Sequence, residues 1–125
     1  MKSALLEIKN APVFELVANH IVTHADQYNI TELILPEGDK QIYQKCAYII
    51  CNMPIGFIRD HAVELLAWFQ DLNWPGVEQI YDVLCKLPSS VLASALEEGI
   101  RNAENAQDEE WIYNLREEFE AYFNV

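Results

Sequence analysis

Leu72-Asn73-Trp74-Pro75-Gly76-Val77-Glu78-Gln79-Ile80-Tyr81-Asp82-Val83-Leu84-Cys85-Lys86-Leu87-Pro88-Ser89-Ser90 is the stretch that decides the fold. Leu72-Asn73-Trp74-Pro75 reads as a tight reversal, and Pro75, which has no backbone N–H to lose, suits the first turn of a helix. Val77, Ile80, Tyr81, Leu84 and Leu87 then recur every three or four positions, which places them on one helical stripe. Pro88 stops that helix, and Ser89 or Ser90 offers a cap for the next. Reversals this short force consecutive helices to lie antiparallel, each burying its stripe on a neighbour.

The same punctuation runs in both directions. Downstream, Leu92, Ala95, Leu96, Ile100 and Ala103 form an inward stripe despite Gly99, which costs about 1 kcal/mol relative to Ala in a helix. Asp108 caps a last helix whose Ile112, Leu115, Phe119, Tyr122 and Phe123 face in, and Asp108, Glu109 and Glu110 suit its positive end. Upstream, a helix from about Phe57 to Asp71 carries Ile58, Ala62, Leu65, Leu66 and Phe69 on one face, set off by Pro54-Ile55-Gly56. Asp39 caps a helix through Met53 whose Ile42, Tyr43, Cys46, Ala47, Ile49, Ile50 and Met53 span so wide an arc that it should be central and largely buried.

Near the start, residues 2–9 read as a short helix. Asn10-Ala11-Pro12 opens a second, which runs to about His24 and buries Val13, Phe14, Val17 and Ile21. Residues 25–38 admit a short strand, a helical turn or a packed loop. The expected fold is all-α, with about six to seven helices stacked as antiparallel pairs in a HEAT-like α-solenoid or a compact helical bundle. It forms one domain over 1–125, least defined over 1–38 and with its core over 39–125.

With 125 residues and 51% apolar content, the chain suffices for one self-standing core. It lacks an apolar run of the roughly 18 to 20 residues that would cross a bilayer, and Glu7 interrupts any signal-peptide core, so a cytoplasmic location is expected. Cys46, Cys51 and Cys85 are odd in number and lack C-x-x-C spacing, as expected of free thiols. The formal charge is −12, from 20 acidic and 8 basic residues. That charge, with Lys and Arg scattered, argues against nucleic acid and against an anionic membrane. Any steered partner should be a basic protein. Residues 97–125 hold nine of the carboxylates against Arg101 and Arg116, a net −7 that marks this end as the acidic pole.

The stretch Val63-Glu64-Leu65-Leu66-Ala67-Trp68-Phe69-Gln70-Asp71-Leu72-Asn73-Trp74-Pro75-Gly76-Val77 resembles the signature L-L-x-W-L-Q-D-x-N-W-P of an uncharacterised, mostly bacterial family of about this size. A looser match lies at Asp108-Glu109-Glu110-Trp111-Ile112-Tyr113-Asn114-Leu115, where that family shows an acidic residue before a Trp and further aromatics. The similarity covers roughly residues 40–120. Phe69 replaces a usual Leu, Gly76 follows the Pro, and the N-terminal third has no counterpart. The resemblance implies a HEAT-like helical fold and no established activity.

Trp68, Gln70, Asp71, Asn73, Trp74, Pro75 and Trp111 are read first as architecture, because Asp and Asn side chains between helices satisfy free N–H groups. Trp74, at the reversal, is the tryptophan expected to be partly exposed. The candidate partner-binding set is Trp74 with Glu97, Glu98, Glu104, Asp108, Glu109, Glu110 and Glu117, weighed against a merely solvated surface. His20 and His24, four apart, could face one metal ion, but no third ligand is evident and His61 is the only other histidine. Phosphate loops, G-x-S-x-G, H-E-x-x-H and calcium-loop patterns are absent, so neither a catalytic, a cofactor nor a metal site is expected. The sequence points to a non-catalytic protein-binding module, for instance an immunity or antitoxin-like protein that occludes a basic partner. The alternatives are a structural or adaptor helical-repeat protein and, more remotely, a metal-dependent hydrolase.

Overall fold

The computed structural model describes residues 1–123; Asn124 and Val125, the end of the expected 1–125 domain, lie outside the described residues. Nine α-helices form among the described residues: α1 (Ala4–Asn10), α2 (Phe14–Thr23), α3 (Thr31–Ile34), α4 (Lys40–Cys51), α5 (Ile55–Asp60), α6 (Ala62–Leu65), α7 (Val77–Leu84), α8 (Ser89–Asn105) and α9 (Glu109–Glu118). No strand forms among them, and the one extended pairing is an isolated bridge between Lys2 and Tyr28. The fold is all-α as expected.

The helix count corrects the expected six to seven, for two local reasons. Residues 25–38 hold a 3₁₀ turn at Ala25–Gln27 followed by the single-turn α3. The helix expected over 57–71 is divided into α5, α6 and a 3₁₀ stretch at Leu66–Gln70. Leu65, Leu66, Ala67, Trp68 and Phe69 are all buried. Five consecutive residues of an α-helix sweep more than a full turn, so they can all be covered only where neighbours surround the segment. Tightening to 3₁₀ geometry fits that enclosure.

Caps follow the sequence where a short polar side chain precedes the helix. Asp39 Oδ1 accepts from the Ile42 N–H at 3.1 Å, and Asp108 Oδ1 accepts from the Trp111 N–H at 3.0 Å. Ser3 Oγ accepts from the Leu6 N–H at 3.2 Å, while Glu32 of α3 accepts from the Ala4 N–H at 3.0 Å and from Ser3 Oγ at 2.9 Å, tying α3 to the start of α1. Elsewhere the caps differ from expectation: Val13 and Pro88 occupy the cap positions of α2 and α8 without side-chain bonds.

The expected start of α7 at Pro75 shifts to Val77, because Gly76 sits before it at φ +97. That left-handed conformation favours glycine. A Cβ at Gly76 would also stand 2.5 Å from Ala47 Cβ on α4, so the residue sets how closely the reversal approaches that helix.

Packing is not confined to consecutive neighbours. Helix α4 lies against α2, α3 and α7, and α8 lies against α6 and α9. The predicted stripe of α8 is buried in full, and that of α4 is buried except for half-exposed Tyr43. Val13, expected inside, is 50% exposed, because it precedes α2 in extended backbone instead of lying on its inner face.

Candidate functional site

The residues Trp68, Trp111 and Asn114 form a buried hydrogen-bonded girder across the fold. Trp68 Nε1 donates to the Ile34 carbonyl of α3 at 2.7 Å. Trp111 Nε1 donates to the Leu66 carbonyl at 3.0 Å, and Asn114 Nδ2 donates to the Phe69 carbonyl at 2.9 Å. Helix α9 thereby donates to two carbonyls of the 3₁₀ stretch in a region closed to water. Asn114 is the one buried polar side chain found among the described residues, and its place one turn after Trp111 is the sequence signal that marks it.

Local contacts also hold the reversal. Asp71 Oδ1 accepts from the Asn73 N–H at 2.9 Å, an Asx turn that orders the chain before Pro75. Trp74 is half-buried and stacks on Tyr43 of α4, centroids 5.1 Å apart at 27°. Gln70 is half-exposed and Asn73 exposed.

The candidate acidic residues sit on α8, on α9 and at the connection between them. Because Leu92, Ala95, Leu96, Gly99, Ile100 and Ala103 fill the inner face of α8, the intervening carboxylates are turned outward. Glu97 and Glu104, seven apart, share one strip of α8. Glu98 lies about 100° further round the helix and lines a separate cleft of about 390 Å3 with Arg59, Asp60, Ser90 and Ser94. On α9, Glu110 and Glu117 share one strip, and Glu109 shares the adjacent one with Arg116.

Glu97, Glu98, Glu104, Glu109, Glu110 and Glu117 are exposed, and none of them forms an ion pair among the described residues. Arg116 instead lies over the Phe123 ring, 5.3 Å from its centroid. Asp108 differs from the other six: it is half-buried and its carboxylate is engaged as the cap of α9. Trp74 packs on α4 and belongs to a different part of the fold.

The histidines do not assemble a centre. His20 and His24 stack with centroids 4.2 Å apart; His20 Nδ1 meets the Tyr28 hydroxyl at 2.6 Å, and His24 Nδ1 meets Thr23 Oγ1 at 2.8 Å. His61 stands at the start of α6, 3.4 Å from Glu64. Among the described residues no group of three His, Cys, Asp or Glu side chains is placed to hold a metal ion. The thiols also differ in setting: burial, reinforced by the negative charge of Glu32, pushes Cys46 up to about 12, whereas Cys85 is exposed. No helix among the described residues is long and apolar enough to cross a membrane.

These observations define a helical protein with a buried tryptophan-and-asparagine girder and an outward, uncompensated acidic surface. Residues 43–125 match a family described as a domain of unknown function, DUF5071, and the chain belongs to that family. No curated protein matches the chain, and no solved structure does.

Proposed function

We propose that this protein is a non-catalytic binding module that engages a basic protein partner through the acidic surface of α8 and α9. The observation that carries the reading is charge without internal compensation: six exposed carboxylates on the two helices lack ion-pair partners among the described residues. Ordinary protein surfaces intersperse both signs and keep large single-sign fields for steering, whereas residues 97–125 carry a net −7. A field of one sign speeds encounter with a partner of the other and suppresses wrong pairings.

One concrete form of this role is an immunity or antitoxin-like protein that occludes a cationic toxin in the cytoplasm. The signature-like stretch 63–77 supports placing the chain in a mostly bacterial setting with a HEAT-like stacking of helix pairs. The test is affinity capture at low salt, comparing the unaltered chain with one in which Glu97, Glu104, Glu109 and Glu117 are changed to Lys. A specific basic protein should be retained by the first and lost by the second. Captured proteins no more basic than background would overturn the proposal.

A further inference from the structure

Between α7 and the C-terminal end of α9 lies a concavity of about 310 Å3 with an apolar floor and an anionic rim. Phe69 and Val77 on its lining are buried and Tyr81 is half-buried, whereas Glu78, Asp82 and Glu118 are exposed. Among the described residues no Lys, Arg or His lines it. None of the three carboxylates forms a hydrogen bond or ion pair among the described residues.

Two local arrangements oppose the chain's own stability here. Glu78 and Asp82 stand four apart on α7, where like charges repel. Glu118 is the last residue of α9, at the negative end of that helix, where a carboxylate is disfavoured. A cation seated between the two helices would relieve both at once.

The geometry narrows which cation. No three acidic groups among the described residues approach closely enough to hold a metal ion, so the charge is too dispersed for a compact ligand. A planar, delocalised guanidinium suits dispersed carboxylates, and it stacks on an aromatic ring such as that of half-buried Tyr81. The volume lies at the low end of the roughly 300–1,000 Å3 of ligand cavities, which fits a single side chain better than a whole cofactor.

We infer that this concavity receives an arginine side chain of the basic partner, an inference that rests on the reading of the protein as a binder of such a partner. The experiment is a nuclear magnetic resonance titration of the protein at low salt with Nα-acetyl-arginine amide, and in parallel with the uncharged citrulline analogue. Amide shifts should group at residues 77–82 and around Glu118 with arginine, and the citrulline analogue should leave them unmoved. A double variant, Asp82→Asn with Glu118→Gln, should weaken the arginine response at least about tenfold. Both replaced side chains are exposed, so an unchanged circular-dichroism spectrum is expected and serves as the folding control.

Equal shifts from citrulline, the same shifts from calcium chloride alone, or shifts spread evenly over the acidic helices would each overturn the inference. The two proposals fail separately. If reversing Glu97, Glu104, Glu109 and Glu117 abolishes capture of a basic partner while arginine leaves residues 77–82 unmoved, the pocket is refuted and the acidic-surface reading survives.

Discussion

Replacing Gly76 with Ala should be among the most damaging single-methyl changes available in this protein. Two costs combine. The left-handed conformation at φ +97 strains a residue that bears a Cβ by roughly 1 kcal/mol. The added methyl would also sit 2.5 Å from Ala47 Cβ and 3.4 Å from Trp68 Cζ3, and overpacking of this kind costs about 1–3 kcal/mol. The sum, about 2–4 kcal/mol, corresponds to a fall in Tm of roughly 8–15 °C for a chain of this length.

Urea unfolding followed by circular dichroism gives the free energy directly, and a second substitution separates the two costs. Ala47→Gly removes the opposing methyl at about 1 kcal/mol of helix propensity. Combined with Gly76→Ala it should recover about 1–2 kcal/mol of the packing cost and none of the backbone strain, a coupling that a double-mutant cycle reads. Gly56→Ala is the control: a Cβ there has nothing within 4 Å, so stability should hold or rise by up to about 1 kcal/mol. A loss below about 0.5 kcal/mol for Gly76→Ala, or strict additivity with Ala47→Gly, would refute the account.

Three other outcomes follow from the same packing. Asn114→Leu should destabilise by about 1–3 kcal/mol in urea unfolding, because it leaves the buried Phe69 carbonyl without its donor. Gln107→Gly should raise Tm by a few degrees, since Gln107 adopts φ 54 in the turn that closes α8, where Asp108 N–H reaches the Ala103 carbonyl at 3.1 Å and glycine is the preferred residue. Cys46 should resist a thiol reagent at neutral pH while exposed Cys85 reacts. Its folded-state value of about 12 exceeds the ordinary 9, so its neutral form is stabilised by folding. Stability should therefore fall as pH rises from about 9 towards 12, with a shallower slope in Cys46→Ala.

Helical periodicity made α4 and α8 legible, because their stripes are long and bounded by clear stops. Asp39 and Asp108 announced their caps for the same reason: an acid just before an apolar repeat has one common structural use. The segment 57–71 misled because its apolar run fits an α-helix on paper, and only enclosure by α3, α8 and α9 selects the tighter turn. Trp68 and Trp111 stand out in the sequence, yet their acceptors, Ile34 and Leu66, lie 34 and 45 residues away and no local pattern announces them. The acidic surface could be counted from composition. The outward concavity beside Tyr81 could not, since it joins residues on α7 to Glu118, the last residue of α9.

The family match begins at Tyr43, three residues into α4, whereas the Trp68 indole on one side of that boundary donates to the Ile34 carbonyl on the other. A fragment cut at the point where sequence kinship starts would therefore strip one wall from α4 and leave a buried indole donor unanswered. Such a fragment should be molten or insoluble, and evolution of the first forty residues is constrained by the interior they help to close, whatever their own ancestry.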